Sequence, residues 1–441
     1  MVKAVYTKKH IKNSLAYGIV IVLYKIVLDI AYVSFMHPVY NYMGFAYDLS
    51  VVKLVESYFL LLFVSFIIPR TAIRPSHIIM SLFAIIAFIP MLTVYAMMNQ
   101  PREYMYAITL FIIFILLLIR FPIVKINSIK NNQNCFLNIV FLIFIILSVL
   151  GTCVFLFKNI GNLNFDIYKV YEIRSINKDI DIGLMTYMIN WTGYILNPLL
   201  IGFFIVGKRW IPLSLVTIMQ ILLFSLTGIK TFLMLIPVCM VMVILVRSKN
   251  WLTYLMLVLA CLVLIGTFME QSIIGDLFVR RSLLVPALIS FNYFDYFSHL
   301  QPLYLSAHHI FSLLVAYPYD VGPTYLIGRA YLYHNINTNA NTGVIADAFI
   351  NFGYQGFLIW GMLLGLICHL IDSVSIGKDV RIIIAGICSL VICFTESALL
   401  TGLVSGGIIF AIIAIYLLPV ALHNQPVSNY VMQRRNDKVS I

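Results

Sequence analysis

Two polar side chains near the start of a long apolar segment are the strongest candidates for acid-base chemistry. Asp347 and Asn351 are four residues apart, and Gly353 and Gly356 follow them at spacings of roughly one helical turn. The aspartate and the asparagine would therefore share one face of a helix. A carboxylate that faces a cavity near the membrane surface can act as a general base toward a sugar hydroxyl. A capped helix start with small-residue packing gives the same pattern, so both interpretations remain open.

Cations outside the apolar segments or at their edges are candidate ligands for a phosphate or pyrophosphate group. They are Arg174, which lies close to Tyr171, and Lys230, Arg280, Arg281 and Arg329. A guanidinium can grip a phosphate through two N–H groups, and a lysine among apolar residues needs an anionic partner. Adjacent arginines at a membrane edge also serve as anchors to lipid head groups, and a loop with balanced charge can pair internally. These alternatives remain beside the phosphate-binding interpretation.

The histidines and cysteines do not form a metal-binding pattern. His308 and His309 are adjacent and would point to different faces of a helix, and no carboxylate or third histidine stands at ligand spacing. The cysteines contain no CxxC pair. We therefore predict no metal site and no cofactor. The stretch 306–319 around these histidines is short and amphipathic enough to lie in a membrane interface.

Composition indicates which elements must position these residues. Of 441 residues, 62% are hydrophobic and only 10% are charged, and the mean hydropathy is +0.99. This leaves too little polar surface to cover a water-soluble globule. The sequence therefore predicts an all-α, polytopic integral membrane protein that forms a single domain over residues 1–441.

Apolar runs long enough to cross a bilayer of about 30 Å recur along the whole chain. The predicted spans are 13–34, 51–69, 77–98, 104–119, 136–157, 183–206, 211–228, 230–246, 251–269, 346–371, 382–398 and 403–422. With about twelve helices and a cytoplasmic N-terminus, most of the 29 lysines and arginines fall on the cytoplasmic side. We therefore expect both termini in the cytoplasm. The net charge of +12 is then explained by topology and anionic membrane lipid, so a nucleic-acid partner is not expected.

Two segments on the opposite side of the membrane are too long to be simple turns. Residues 158–182 form the first predicted extracytoplasmic loop, and residues 270–345 form the main one, between the ninth and tenth helices. Function is expected there. Within the helices, the pairs Lys25/Asp29 and Lys53/Glu56 most simply neutralise each other, although a proton or ion relay remains an alternative for them.

Three local segments and the layout of nearly the whole chain resemble one known family. The segments are Tyr171 to Arg174, Thr227 to Thr231 with the sequence TGIKT, and Asn341 to Gly356, which contains NTG, Asp347 and NFGYQG. Together they resemble the Wzy O-antigen polymerases, also called oligosaccharide repeat-unit polymerases. The last segment is the most specific of the three.

The resemblance implies a glycosyltransferase at the periplasmic face of a bacterial inner membrane. Donor and acceptor would be undecaprenyl-pyrophosphate-linked oligosaccharides, no nucleotide sugar would be needed, and a flippase and a chain-length regulator would be protein partners. The residues that we assign to catalysis are Asp347 as base and Arg280 and Arg281 as pyrophosphate partners. Those assigned to substrate binding are Arg174, Lys230, Arg329, Asn351 and Tyr171.

Two other functions fit the same layout. An O-antigen ligase would transfer finished polymer to lipid A-core and could use the same cations. A lipid-linked oligosaccharide flippase belongs to a different class, and it would be expected to have two similar halves with charges that line a central cavity. This chain instead concentrates its length in one asymmetric outer loop, which favours an enzyme.

Overall fold

The computed structural model describes residues 2–121, 185–269, 273–308, 311–332 and 338–418, with scattered residues between 139 and 157 and the segment 163–166. Within these ranges the regular structure is helical throughout. The α-helices are α1 Val2–Ala31, α2 His37–Tyr40, α3 Val51–Ile67, α4 Pro75–Phe83, α5 Ile89–Met97, α6 Arg102–Leu118, α7 Met185–Trp191, α8 Asn197–Val206, α9 Trp210–Thr227, α10 Lys230–Leu245, α11 Trp251–Phe268, α12 Val285–Phe297, α13 Pro323–Tyr331, α14 Val344–Val374, α15 Val380–Glu396, α16 Leu399–Val404 and α17 Ile408–Leu417. The prediction of an all-α protein is confirmed.

Seven helical stretches in the described residues are long and apolar enough to cross a membrane. They are Asn13–Met43, Pro75–Met97, Thr186–Val206, Trp210–Thr227, Trp251–Phe268, Val344–Val374 and Leu399–Leu417. The chain is therefore a polytopic membrane protein by length and composition, while the count of twelve helices stays a prediction. The predicted span 136–157 and the loop 158–182 lie largely outside the described residues.

In the described part of the chain, four π-helical segments interrupt the long helices. They are Tyr32–Met36, Ala84–Phe88, Thr192–Leu196 and Gly275–Leu284. Each is followed by an α-helix that carries a proline in its first turn: Pro38, Pro90, Pro198 and Pro286. A proline ring clashes with the carbonyl four residues earlier and cannot donate a hydrogen bond to it. Widening the preceding turn relieves that clash, so the prolines give a local reason for the π-helical geometry.

The helices pack around an apolar core, and their outward faces remain apolar. Helix α1 packs on α11, α8 packs on α15, and α6 packs on α14. Trp251 and Trp360 are among the largest fully buried side chains, whereas Phe66, Leu110 and Leu358 are exposed on the surface. An apolar surface of this kind suits lipid as the solvent.

Helix α14 is broken near its start. The backbone leaves helical geometry at Phe352 and Gly353. Gly353 has φ +58° and ψ −143°, a conformation that is strongly disfavoured for every residue other than glycine. The break folds the two parts of the helix together, since a Cβ atom on Gly356 would lie 1.8 Å from the carbonyl oxygen of Ala348. These glycines therefore allow the two parts of one helix to approach each other.

Much of the predicted main loop is helical. Residues 270–345 contain the π-helical segment Gly275–Leu284 and helices α12 and α13, and α12 packs against α14. The side chains of Phe291 and Tyr293 on α12 are buried. This part of the loop therefore contributes to the protein core and packs beside helix α14.

Candidate functional site

The two predicted arginines lie side by side on the ten-residue π-helical segment, but they have different surroundings. The guanidinium carbon of Arg280 stands 4.7 Å from the ring centroid of Tyr40, and its Nε is 3.5 Å from a carboxylate oxygen of Asp276. The Tyr40 hydroxyl donates a hydrogen bond to the same carboxylate. Arg280 is therefore already engaged by a carboxylate and an aromatic face, which are its ordinary partners inside a protein.

Arg281 is exposed and lines a cleft. The lining residues are Arg281, Val285, Pro286, Ile289, Asn341, Thr395 and Glu396. The amide of Asn341 donates a long hydrogen bond of 3.4 Å to the Glu396 carboxylate. The cleft thus brings a cation, a carboxylate and an amide together between the start of α12, the end of α15 and the segment before α14.

Close backbone contacts hold the segment before α14 in place. The Tyr293 hydroxyl donates to the carbonyl of Ala340 at 3.0 Å and lies 2.5 Å from the hydroxyl of Thr342. A Cβ atom on Gly343 would stand 2.5 Å from the carbonyl oxygen of Thr395. Glycine is thus needed at Gly343 for the segment to lie against the end of α15, and this approach places Asn341 beside Glu396.

Asp347 is buried and fully engaged by neutral donors. Its Oδ1 accepts from the amide of Asn351 at 2.9 Å, and its Oδ2 accepts from the indole of Trp360 at 2.9 Å and the backbone N–H of Leu399 at 2.8 Å. The carboxylate therefore joins both parts of the broken α14 to the start of α16. The predicted sharing of one face by Asp347 and Asn351 is confirmed, and the geometry supports a positioning role for Asp347.

Asn351 extends this network to the main loop. Its Oδ1 accepts from the backbone N–H of Leu305 at 2.9 Å, while its backbone carbonyl accepts from the N–H of Tyr304 at 3.1 Å. Both groups of the Asn351 side chain are thus used inside the protein. These contacts give Asn351 a structural role, and its predicted role in substrate binding stays a prediction.

The remaining predicted site residues do not line the cleft. Lys230 is the first residue of α10, Arg329 lies in the last turn of α13, and neither contributes to the cleft wall. Tyr171 and Arg174 lie outside the described residues. Of the predicted cations in the described part of the chain, Arg281 alone lines the cleft.

One predicted intrahelical ion pair is present, and the other has different partners. Lys25 and Asp29 form a buried pair with Nζ to oxygen distances of 2.6 and 2.8 Å. Glu56 instead binds Arg102 at 3.1 Å. The ammonium of Lys53 donates to backbone carbonyls in the connection between α5 and α6, at 2.7 Å to that of Gln100. The predicted pairing of Lys53 with Glu56 is wrong because both side chains reach the adjacent α5–α6 connection.

Two tyrosines of the main loop donate hydrogen bonds to separate acceptors. The hydroxyl of Tyr331 donates to the Asp295 carboxylate at 2.6 Å. Burial, and then this hydrogen bond to an anion, raise the pKa of Tyr331. The hydroxyl of Tyr317 donates to the carbonyl of Val321 at 2.7 Å, and burial raises its pKa as well. Both phenols are therefore neutral hydrogen-bond donors near neutral pH.

Glu396 has no role among the residues assigned from the sequence, and the structure places it in the cleft. In sequence it is one carboxylate near the end of an apolar span, more than 100 residues from Arg281. Asn341 and Thr395 were not assigned to a site. A local signal exists only for Asn341, which opens the NTG motif before Asp347.

Comparisons with known proteins found no relative of this chain. No family model, no curated protein and no solved structure matches the chain. The class of protein established by the fold is that of a polytopic, all-helical membrane protein. Any more specific function depends on the residues of the cleft.

Proposed function

We propose that this protein is a glycosyltransferase that polymerises lipid-linked oligosaccharide repeat units at the periplasmic face of a bacterial inner membrane. The observation that carries the proposal is the cleft in which Arg281 and Glu396 come together, at one end of a polytopic helical bundle. A cation and a carboxylate in one cleft are the two groups that transfer from a pyrophosphate carrier requires. The resemblance of the sequence to repeat-unit polymerases supports the same reaction.

In the proposed reaction, a hydroxyl of the acceptor repeat unit attacks the anomeric carbon of the donor glycan. A new C–O glycosidic bond forms, the C–O bond to the carrier breaks, and undecaprenyl pyrophosphate leaves with the bonding electrons. Arg281 stabilises the developing negative charge on the pyrophosphate. A carboxylate accepts the proton that the acceptor hydroxyl releases.

The cleft favours Glu396 as the proton acceptor. Asp347 is the base that the sequence predicts, but its two oxygens already accept three hydrogen bonds from protein groups, and it is 2% exposed. Glu396 lies in the cleft wall with Arg281. In this proposal Asp347 positions α14 and α16 around the cleft, and Glu396 performs the acid-base step.

The size of the cleft limits what it can hold. Its enclosed space is about 10 Å³, room for roughly one water molecule, whereas pockets for small ligands are typically ~300–1,000 Å³. In this proposal the cleft therefore presents Arg281 and Glu396 to substrates that lie at its mouth, and it does not enclose a sugar ring or a pyrophosphate. Lys230, Arg280, Arg329, Tyr171 and Arg174 are then candidates for contacts to the remainder of the two substrates.

Complementation of a deletion strain tests the proposal. We expect the unaltered gene to restore the lipopolysaccharide ladder, and Arg281→Ala and Glu396→Gln to leave core that carries a single repeat unit. Loss of a general base lowers a rate by roughly 10²–10⁴-fold, enough to remove the long chains. Glu56→Gln, which alters a carboxylate outside the cleft, is the matched control. All variants are compared at equal amounts of protein in the membrane.

Each other result has a defined meaning. Bare core in the deletion strain would contradict the polymerase proposal and indicate a ligase or a flippase, because no repeat unit would reach the core. A ladder of normal length from both Arg281→Ala and Glu396→Gln would contradict the assignment of the reaction to the cleft. An unchanged ladder in the deletion strain would exclude O-antigen as the product and direct the assay to capsule or another surface glycan.

A further inference from the structure

One turn of the main loop presents apolar side chains that nothing in the described protein covers. Residues 311–315 have the sequence FSLLV. Leu313 and Leu314 are 87% and 83% exposed, the highest values among the large hydrophobic side chains of the described residues. Exposed apolar side chains in neighbouring positions mark a surface that contacts lipid or another protein.

The sequence around this turn is free of formal charge. Between Tyr296 and Tyr319 there is no Asp, Glu, Lys or Arg, although acids and bases occur on both sides of this stretch. A specific protein interface usually combines an apolar centre with a polar rim that supplies hydrogen bonds and charges. An uncharged stretch with tyrosines at its ends is instead typical of a segment at the membrane interface.

Four of the five backbone N–H groups of the turn donate hydrogen bonds to carbonyls of the same loop. The N–H groups of Phe311 and Ser312 both donate to the carbonyl of His308 at 2.9 Å. Those of Leu314 and Val315 donate to the carbonyl of Phe311 at 2.9 and 3.1 Å. Unpaired backbone groups are costly in lipid, so internal pairing is what a segment needs before it can leave water.

The chain that leads to the turn is bound to a candidate membrane-spanning helix. The N–H of Leu303 donates to the carbonyl of Ile350 at 2.9 Å, and the ring of Tyr304 lies 5.9 Å from that of Phe352. Position 350 is about 9 Å along α14 from its start, at 1.5 Å per residue. The loop is thus held against the flank of a helix that crosses the membrane.

The same helix has an exposed apolar stripe. Leu358, Met362 and Leu366 on α14 are exposed at four-residue intervals, so they form one stripe along the helix. Tyr304, which precedes the turn in the loop, is itself exposed and packs on the residue where α14 breaks. The loop that carries the turn is therefore attached to a candidate membrane-spanning helix whose exposed face is apolar.

We propose that the turn formed by residues 311–315 inserts Leu313 and Leu314 among the lipid chains of the adjacent leaflet. The occupant of this surface is lipid, at the interfacial depth of roughly 5–10 Å that short apolar segments reach. The turn then anchors the loop between α12 and α13 to the membrane surface. This inference does not depend on the reaction, since it concerns only the surface of the loop.

Tryptophan fluorescence of the full-length protein in phosphatidylcholine vesicles tests the proposal. Leu313→Trp is compared with the unaltered protein, whose four native tryptophans are subtracted, and Leu314→Trp is a second probe if the first variant folds poorly. Ser298→Trp, at an exposed polar position after α12, is the matched control. Quenching is measured with lipids brominated in the acyl chains and, separately, with iodide in the aqueous phase.

Insertion predicts that the added tryptophan at position 313 or 314 emits at shorter wavelength than the one at position 298. It also predicts loss of most of the added signal with brominated lipid and little loss with iodide. Quenching by iodide and not by brominated lipid would overturn the proposal, because the turn would then be in water. Protection from both quenchers would also overturn it, because a second copy or another protein would then cover the turn.

Discussion

Two buried aspartates, Asp29 and Asp347, satisfy their carboxylates in different ways. Asp29 accepts two hydrogen bonds from Lys25, one from Tyr58 and one from Thr93, at 2.6–2.8 Å. Asp347 accepts three hydrogen bonds, all from groups without formal charge. Burial is similar, with 8% and 2% of the residue exposed, so the difference lies in the charge of the partner.

The difference also reflects what each aspartate joins. Asp29 connects three helices, α1, α3 and α5, and the residues that meet there lie in α-helical backbone. Asp347 connects the parts of one broken helix and the N–H at the start of α16, where unpaired donors of a helix terminus are available. A carboxylate between intact helices needs a cation because their backbone donors are already used, whereas a helix break and a helix start supply neutral donors.

The largest effect on the free energy of unfolding is expected when the carboxylate that neutralises Lys25 is removed. Asp29→Asn leaves a buried ammonium without a counter-charge, and breaking such a pair typically costs about 3–5 kcal/mol. We expect a loss of this size in the free energy of unfolding of the purified protein, measured by denaturant titration with helical circular dichroism as the signal.

The double variant Lys25→Met/Asp29→Asn separates the charge from the lost hydrogen bonds. Without the ammonium, no charge is left unpaired, and an amide can still accept from Tyr58 or Thr93. We expect the double variant to recover most of the stability that the single variant loses. Equal destabilisation of the two would show that the charge is not the cause.

A smaller effect is expected for Asp347→Asn, because none of its partners carries a charge. An amide has one acceptor oxygen and one donor group, so part of the set formed by Asn351, Trp360 and Leu399 would lose its acceptor. The typical cost of unsatisfied buried groups is about 1–3 kcal/mol. The same unfolding titration measures it, and a loss as large as that of Asp29→Asn would contradict the comparison.

The same variant distinguishes positioning from acid-base chemistry at Asp347. Trp360→Phe removes one donor to Oδ2 at 2.9 Å without altering the carboxylate. If Asp347 positions the cleft, both variants should shorten the lipopolysaccharide ladder in proportion to their loss of stability. A complete loss of polymer in Asp347→Asn alone would instead support the base that the sequence predicts.

The smallest effect is expected at a carboxylate that is partly exposed. Glu56 is 26% exposed in its side chain and binds Arg102, which is 47% exposed, and it also accepts a hydrogen bond from Tyr95 at 2.5 Å. Pairs of this exposure typically contribute about 0.2–1 kcal/mol, and glutamine can still accept from the tyrosine. Glu56→Gln should therefore change the unfolding free energy least, and a loss larger than that of Asp347→Asn would mean that exposure to solvent does not weaken the Glu56–Arg102 pair.

Adjacent arginines illustrate the limit of reasoning from sequence spacing. Arg280 and Arg281 are neighbours in the chain, and the sequence assigns them one role. The structure directs Arg280 to Tyr40 and Asp276, whereas Arg281 lines the cleft with Glu396. Neighbouring residues on a helical turn point in different directions, so sequence proximity does not place two side chains in one site.

The sequence by itself determined the features that depend on local composition. Long apolar runs predict helices that need lipid as solvent, the spacing of Lys25 and Asp29 predicts their pairing, and the prolines after the π-helical segments are a local signal for interrupted helices. Each follows from hydropathy or from the geometry of a single helix. Each of these features depends on residues within one segment, so it can be predicted from the sequence of that segment.

Only the tertiary structure decided which polar groups meet. Glu396 reaches the cleft of Arg281 because Gly343 lies against the end of α15, and Glu56 binds Arg102 because α3 lies beside the start of α6. Asp347 is engaged by Trp360 and Leu399 because α14 breaks and α16 begins beside it. A polar side chain in an apolar bundle takes whichever partner the packing of the helices brings within hydrogen-bonding distance, and that packing is not encoded in any single segment.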